Sequence, residues 1–318
     1  MYLLNWDIAI GGYKVKTLTE VKITTSVLNL SDTATITMPG QYMNTWRKIE
    51  DKVHVDDAVT IKLGYDNDLE TEFIGYLKRI SRDNNSLVLE CEDALWLTNK
   101  MVADMEYKSI SLKELLTGIL AQVDPEMTVE CDYDFTYEKM VVFKSTALDV
   151  LKKVHEDTKA NIWFEGKTLH VHPVYQQAKG DKPVIYDTEV NVQSNELKWK
   201  DQTDRKILIE VAYTNAKGEI SKQQFGTGGG EKMTRFVKAN NEGDLKKAAE
   251  NEYNLWNYSG YEGSLTGWLV PVVKAGGSVR LRDKEKPEPE GVYYVTGVEI
   301  EFGRNGAKRK VTLGRKLS

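Results

Sequence analysis

The sequence predicts a mixed, β-rich α+β fold in which two small related β-barrel domains flank a small α/β domain. Three observations support this prediction: short alternating strands fill the first hundred residues, helical patterns begin after residue 105, and a late β region repeats the spacing of the early one. A chain of 318 residues is long enough for two or three domains. We therefore place the domains at 1–104, 105–175 and 176–318.

The first domain is predicted from closely spaced alternating segments. Residues 59–63 read Val-Thr-Ile-Lys-Leu, residues 73–80 continue the pattern, and residues 87–91 read Leu-Val-Leu-Glu-Cys. The polar run 66–68 separates the first two segments and is typical of a turn. Short strands joined by polar turns in this way indicate a small barrel or sandwich.

The middle domain begins where helical signals replace the alternation. Ser111 and Glu114 have the spacing of a capping box, and apolar residues follow at helical intervals. A second helix is predicted to start at Ser145 or Thr146. A hairpin with a turn at Gly166 should follow it.

The third domain follows the polar, linker-like stretch 176–182. A strand is predicted near 207–213 and a helix at about 242–256, with Glu242 and Asp244 placed to complement the helix dipole. From residue 264 the sequence returns to a β pattern, so this domain is predicted to be a second barrel that carries one helix.

The two β regions share an order and a spacing. Val59 and Ile80 are 21 residues apart, and Val279 and Ile300 are also 21 residues apart. A chance likeness between two β meanders is the alternative explanation. If the echo is genuine, three chains in a ring would present six similar barrels and would match a six-fold partner.

Composition excludes several classes of protein. The net charge is −5 and no clustered basic face is evident, so no nucleic-acid-binding site is expected. No apolar run is long enough for a membrane helix, and the first ten residues do not resemble a secretory signal. Cys91 and Cys131 match neither a disulfide framework nor a zinc motif, so both are predicted to be free, buried thiols made in a reducing cytoplasm.

The run from Gly226 to Lys232 superficially resembles a phosphate-binding loop. Met233 follows the lysine where such a loop needs serine or threonine. The run is therefore interpreted as a surface loop, in which Gly228 and Gly229 are candidate interaction residues that become ordered against a neighbouring subunit.

Other candidate sites are weaker. His170 and His172 share one strand face, but zinc sites need three or four protein ligands, so we predict an ordinary strand pair, exposed or facing a partner, with no metal and no cofactor. The carboxylate clusters fit no catalytic motif, so no catalytic residue is assigned. Trp256 and Tyr258 form an aromatic cluster that fits either a partner contact or packing at a helix end.

Several segments, taken in order, carry a resemblance to a known family: 21–39, 59–96, 147–151 with the hairpin through Gly166, the helix to Tyr253, and the C-terminal runs 263–267, 279–281 and 293–298. This ordered set resembles the baseplate hub proteins of contractile phage tails. That family includes the Mu-like tail proteins and the late-control D proteins and is related to the spike proteins of type VI secretion.

The resemblance implies a structural, non-enzymatic role. It implies a homotrimer at the centre of a virion baseplate, assembled in the host bacterial cytoplasm, with the six-fold tail tube on one side and the central spike on the other. Its other partners would be further baseplate proteins. The sequence is compatible with a phage, a prophage remnant or a contractile secretion apparatus.

Two functions from other classes are also compatible with the sequence. One is a tail-associated enzyme that degrades cell-wall glycan, which requires a cleft with a carboxylic acid of raised pKa. The other is a carbohydrate-binding β module, which would bind glycan without turnover.

Overall fold

The fold is described from a computed structural model that covers residues 2–39, 49, 51–83, 85–175, 182–204, 206–214, 220–229, 231–236 and 242–317. Strands predominate over helices along the described chain, so the predicted β-rich α+β class is confirmed. Within these residues, no helix is both long enough and apolar enough to cross a membrane.

The early region consists of antiparallel strands. Their bounds are β1 (Leu4–Ile10), β2 (Tyr13–Lys14), β3 (Glu20–Ser26), β4 (Thr33–Pro39), β5 (Ala58–Tyr65), β6 (Asp68–Asp83) and β7 (Ser86–Glu92). A short 3₁₀ helix, Ala94–Thr98, then leads into the middle region, and Asp93 caps its N-terminus. Alternate residues of these strands are buried, as the sequence pattern predicts.

The middle region is a compact α/β unit with its own apolar core. Its helices α1 (Leu112–Val123) and α2 (Ala147–Thr158) both begin with capping boxes, Ser111 with Glu114 and Thr146 with Asp149. The remaining elements are β8 (Met105–Tyr107), β9 (Ile110–Ser111), β10 (Thr128–Cys131), β11 (Thr136–Tyr137), β12 (Met140–Val142), β13 (Asn161–Glu165) and β14 (Thr168–His172).

The late region returns to strands around one helix. Its elements are β15 (Val184–Asp187), β16 (Val192–Asn195), β17 (Lys198–Lys200), β18 (Ile207–Thr214), β19 (Ile220–Gly226), β20 (Glu231–Phe236), α3 (Glu242–Trp256), β21 (Gly260–Gly267), β22 (Ser278–Arg282), β23 (Gly291–Gly303) and β24 (Gly306–Lys316). Strands β18, β19 and β20 form a separate small sheet, and α3 packs on it through Leu245 and Ala249.

The early and late β regions join in one hydrogen-bonded sheet. Strand β3 pairs antiparallel with β23, and the neighbours of these two strands extend the sheet on both sides. One apolar core serves both regions and includes Ile8 and Ile36 from the early region and Leu281 and Phe302 from the late one. The sequence pattern describes two barrels one after the other, whereas the structure connects their strands side by side. The domain boundaries at 104 and 175 stay a prediction.

A buried ion pair connects the early and late β regions within their shared core. Arg309 on β24 donates to Glu72 on β6, and both side chains are at most 4% exposed. The Arg309 guanidinium also donates to the carbonyl oxygens of Leu269 and Val273, at 2.9 and 3.2 Å. A side chain with this many buried partners leaves several polar groups unsatisfied when it is removed.

A pair of acidic side chains connects the β3–β4 turn to the start of the 3₁₀ helix. The Asp93 carboxylate accepts from the backbone N–H groups of Asp32 and Leu95, each at 2.9 Å. The Asp32 carboxylate accepts from the Ser26 N–H at 2.9 Å. Burial raises the pKa of Asp32 to about 7, and burial together with the nearby Asp32 charge raises the pKa of Asp93 well above its usual range.

Replacing Asp32 with asparagine is expected to make the protein more stable at pH 8 and to change its stability little at pH 4. Because the pKa of Asp32 is raised in the folded state, Asp32 is protonated in the folded chain and ionised in the unfolded chain between about pH 4 and 7. The free energy of unfolding therefore falls as the pH rises through this range. The asparagine side chain keeps the acceptor for Ser26 and has no charge. Thermal unfolding at the two pH values measures the effect.

Asp68→Asn, at an exposed position at the start of β6, is the control and should shift the melting temperature equally at both pH values. If Asp32→Asn changed the melting temperature at pH 4 as much as at pH 8, the proposed titration of Asp32 would be wrong.

Candidate functional site

The same strand arrangement occurs twice in the large sheet. In the early region the neighbours follow the order β3-β4-β7-β6-β5-β1, and in the late region they follow the order β16-β21-β24-β23-β22-β15. We call these two groups module 1 and module 2. They differ at the last strand, because β1 runs antiparallel to β5 while β15 runs parallel to β22.

Matching hydrogen bonds support the correspondence at one end of the meander. In module 1 the Leu77 N–H donates to the Asp57 carbonyl, and the Leu77 carbonyl accepts from the Asp56 N–H. In module 2 Val295 makes the same two bonds, with the Gly277 carbonyl and the Gly276 N–H. Asp57 and Gly277 are as far apart in the sequence as Val59 and Val279, so the hydrogen bonds and the sequence echo give the same alignment of the two modules.

The hairpins at the other end also match. Asp83 pairs with Ser86 across the first hairpin, and Gly303 pairs with Gly306 across the second. Ile80 pairs with Leu89 and Ile300 pairs with Arg309, so Ile80 of module 1 corresponds to Ile300 of module 2.

The two modules meet at a strand junction within the chain. Strand β3 of module 1 lies along the half of β23 that β22 leaves uncovered, with Ile23 opposite Ile300 and Lys22 opposite Glu301. Ile23 and Ile300 are buried, whereas Lys22 and Glu301 point to the exposed face. The junction therefore combines main-chain hydrogen bonds with an apolar inner face.

Among the described residues, both halves of an equivalent junction have no strand partner. On β6, the pairing with β5 ends at Tyr76, and no described strand pairs with that edge at residues 79–81. In module 2, β16 is the terminal strand of the sheet, and its outer edge has no strand partner among the described residues. Unpaired strand edges are ready sites for pairing with another chain.

Register assigns the residues that would meet at an open junction. Ser81 of β6 corresponds to Glu301, because both lie two residues before a matching hairpin position. Ser194 of β16 pairs with Thr266, and Lys22 of β3 pairs with Thr35. The two threonines are equivalent, because Thr266 lies opposite Lys310 and Thr35 lies opposite Glu90, which is the counterpart of Lys310 in module 1. Ser81 and Ser194 are therefore the counterparts of the internal pair Glu301 and Lys22.

The candidate residues Trp256 and Tyr258 come together in an aromatic cluster. Tyr175 lies between them, with ring centroids 6.2 Å from each, and it also packs against Tyr294 at 5.7 Å. The Tyr258 hydroxyl donates to Glu262 at 2.7 Å, and burial raises the pKa of Tyr258. Both candidate side chains are half-buried in contacts within the chain.

The candidate residues Gly228 and Gly229 lie elsewhere, in the exposed turn between β19 and β20. Gly229 has a φ of +82°, a conformation that favours glycine. The run connects two strands, whereas a phosphate-binding loop connects a strand to a helix. Whether Gly228 and Gly229 contact another subunit stays a prediction.

The cysteines and histidines refine the expectations from the sequence. Both cysteines are free thiols; Cys91 is buried as predicted, but Cys131 is only half-buried because it lies on β10 at the rim of the α/β unit. His170 and His172 do share one face of β14, and their side chains are only 15% and 16% exposed.

The open strand edges are a feature of the structure that sequence reasoning missed. Residues 79–81 and the β16 strand contain no catalytic or glycine motif that would mark them. The echo of Val59–Ile80 in the late region indicated that the two modules are related. The pairing of β3 with β23 was needed to show that β6 and β16 lack the equivalent strand partner.

No family model matches the chain, and no curated protein matches it in sequence. The fold, however, is similar to that of solved phage tail proteins. A tail protein from Neisseria meningitidis MC58 superposes with a TM-score of 0.69 at 15% identity, covering 98% of this chain and 96% of that one. The 43 kDa tail protein of prophage MuSo2 from Shewanella oneidensis gives a TM-score of 0.65 at 13% identity, covering 98% of both chains.

A type VI secretion component shows the same likeness. The E. coli protein has a TM-score of 0.61 at 9% identity, covers 98% of this chain and 79% of its own, and is described as similar to the phage T4 tail proteins gp27 and gp5. The class of fold is therefore that of phage tail proteins and type VI secretion spike-related proteins, as the resemblance in sequence order implies. At these identities the likeness establishes the fold alone.

Proposed function

We propose that this chain is a structural hub protein of a contractile-tail baseplate, a trimeric adaptor between the six-fold tail tube and the central spike. The observation that carries the proposal is the repeated module junction, which forms once within the chain and lacks a strand partner at β6 and β16 among the described residues. A protein that exposes two complementary strand edges can repeat the same contact with neighbouring copies.

Such a contact is heterologous, since the β6 edge of one copy meets the β16 edge of the next. Heterologous contacts build closed rings when the rotation between copies closes. Three copies with two modules each would give a ring of six similar modules, which suits a six-fold partner on one face. The tail-protein fold of similar solved structures supports this reading.

The proposal needs no chemical step from this protein. Its candidate features are strand edges and aromatic packing, which serve assembly, and the partners we propose are a second and third copy of the chain, a tail tube protein, a central spike protein and further baseplate proteins. We place the assembled protein in a virion tail baseplate.

The proposal is tested by cross-linking the predicted subunit junction. The variant Ser81→Cys with Ser194→Cys, in a background in which the half-buried Cys131 is replaced by serine, is expected to form disulfides between copies under mild oxidation. Directly opposed residues on antiparallel strands have Cα atoms about 4.5–5.5 Å apart, which suits a disulfide. A covalent trimer on a non-reducing gel is the expected result.

Each single cysteine variant is the matched control and should form no covalent ladder, because neither residue lies opposite itself in the ring. The mass of the unmodified protein in solution, measured by light scattering at high concentration, should correspond to a trimer. A monomeric mass together with no cross-linked product from the double variant would refute the proposed ring.

A further inference from the structure

A second cluster of side chains lies on the outer face of the α/β unit. Strands β10, β14 and β13 form a three-stranded sheet, in which Glu130 is directly opposite His170 on one side and Trp163 is directly opposite it on the other. His172 lies two residues further along β14 and therefore on the same face. The opposite face of this sheet, with Leu169 and Val171, packs into the core of the unit.

A carboxylate lies beside the outer nitrogen of each histidine. Asp132 Oδ1 is 2.6 Å from Nδ1 of His172, and Glu165 Oε2 is 3.8 Å from Nε2 of His170. A neutral imidazole carries one N–H, and the bonded partner fixes which nitrogen has it. A proton on Nδ1 of His172, bonded to Asp132, leaves the lone pair of the inner nitrogen, Nε2, for a metal ion. Glu165 lies beyond hydrogen-bond distance of His170, so a metal ion would select the tautomer of His170 that has its lone pair on the inner nitrogen, Nδ1.

The distance between the inner nitrogens matches that between two ligands of one metal ion. Nε2 of His172 and Nδ1 of His170 are 3.5 Å apart. Two nitrogens bound to zinc at about 2.0–2.1 Å in a tetrahedral arrangement lie roughly 3.4 Å apart.

A third ligand is within reach. Glu130 Oε2 is 3.5 Å from Nδ1 of His170, and the Glu130 side chain is 68% exposed, so its carboxylate has room to rotate. In the described part of the chain no three His, Cys, Asp or Glu side chains already converge on one point. Metal binding would require the Glu130 carboxylate to turn toward the histidine pair, and water would supply the fourth position.

We propose that His170, His172 and Glu130 bind one divalent transition-metal ion of the zinc class, with Asp132 and Glu165 as the carboxylates that orient the two histidines. Imidazole nitrogens with a single carboxylate suit zinc, copper or nickel, whereas calcium and magnesium prefer oxygen ligands. Carboxylates on the outer nitrogen are the usual companions of metal-bound histidine.

The site would fasten three adjacent segments of the α/β unit. It connects β10 to β14 through Glu130 and His170, and Trp163 stacks on His170 with a centroid distance of 5.1 Å and an interplanar angle of 11°. Trp163 in turn lies against Gly276, where a Cβ atom would come within 3.3 Å of the indole. Metal binding is therefore expected to raise the melting temperature of the protein, independently of its role in a tail.

Calorimetric titration of the full chain, without a histidine tag, with zinc chloride tests the proposal. The expected result is one site per chain. His170→Gln or His172→Gln should weaken binding at least 100-fold, and Asp132→Asn should weaken it roughly 10–100-fold, as for other residues that orient a metal ligand. The sequence has two further histidines, so His54→Gln and His155→Gln are matched controls that should leave the affinity unchanged.

A second readout uses the tryptophan beside the site. Copper(II) bound at the site should quench the fluorescence of Trp163. The Trp163→Phe variant lacks this contribution, so copper(II) should quench its fluorescence less. Circular dichroism of each variant shows whether it is folded. The proposal is overturned if the folded wild-type protein binds no zinc, or if the His170→Gln and His172→Gln variants are folded and bind zinc as tightly as the His54→Gln control.

Discussion

Replacing Arg309 with leucine is expected to lower the free energy of unfolding by about 3–5 kcal/mol, the usual cost of removing one partner from a buried ion pair. The Glu72 carboxylate would stay buried without its counter-ion, and the carbonyl oxygens of Leu269 and Val273 would lose their donor. Leucine is the matched replacement because Leu89 occupies the equivalent position in module 1.

Removing the second charge should recover part of this loss. In the double variant Arg309→Leu with Glu72→Gln, no uncompensated charge stays buried, so the double variant is expected to be more stable than Arg309→Leu alone. The recovery is incomplete because the two carbonyl oxygens still have no donor. Equilibrium unfolding in urea measures both variants.

Lys310→Met, on the next residue of the same strand, is the control. Lys310 is 40% exposed and lies 3.6 Å from Glu196, so its loss should change the stability by less than about 1 kcal/mol. Equal effects of Arg309→Leu and Lys310→Met would show that the buried pair does not fasten the two modules.

Replacing Ile80 with proline is expected to abolish trimer formation and to leave the monomer folded, whereas Ile300→Pro should unfold the chain. The two isoleucines are equivalent, but Ile300 faces β3 within the chain and Ile80 faces the open edge of β6. The Val27 N–H donates to the Thr296 carbonyl, and hydrogen-bonded residues alternate along an antiparallel ladder, so the Ile300 N–H points to β3.

Proline removes this N–H in both variants, with different consequences. At residue 300 it breaks a central strand pairing and replaces a side chain that is 2% exposed, at an expected cost of about 3 kcal/mol or more. At residue 80 it removes a donor that no described strand uses and that we assign to the contact with another copy, and the pairing with β7 through Leu89 is kept. Edge strands tolerate proline.

Analytical ultracentrifugation and circular dichroism together distinguish these outcomes. Ile80→Val keeps the N–H and is expected to stay trimeric, which separates loss of the donor from loss of packing. A trimeric, folded Ile80→Pro variant would contradict the assignment of the β6 edge to the subunit contact.

Local signals explain which parts of the fold were predictable. The capping box at Ser111 predicted the start of α1, and the apolar helical spacing predicted that α2 starts at Ser145 or Thr146, close to its observed start. The predicted helix at 242–256 and the alternating strands also agree with the structure. In each case the information lies within a few neighbouring residues.

The candidate site was less predictable because it depends on partners far apart in sequence. Trp256 and Tyr258 were named from composition, but the contact of both with Tyr175 required the folded chain. The distances between His170, His172 and their carboxylates likewise arise from strand register, which places Glu130 opposite His170.

The sequence by itself determined the β-rich class, the helices and the two equivalent meanders marked by Val59 and Val279, because periodicity and turn chemistry are local properties. Only the tertiary structure decided that β3 pairs with β23 and that Arg309 reaches Glu72. These contacts join residues more than two hundred positions apart. Backbone edges carry no side-chain signature, so their pairing is decided by which apolar faces can share one core.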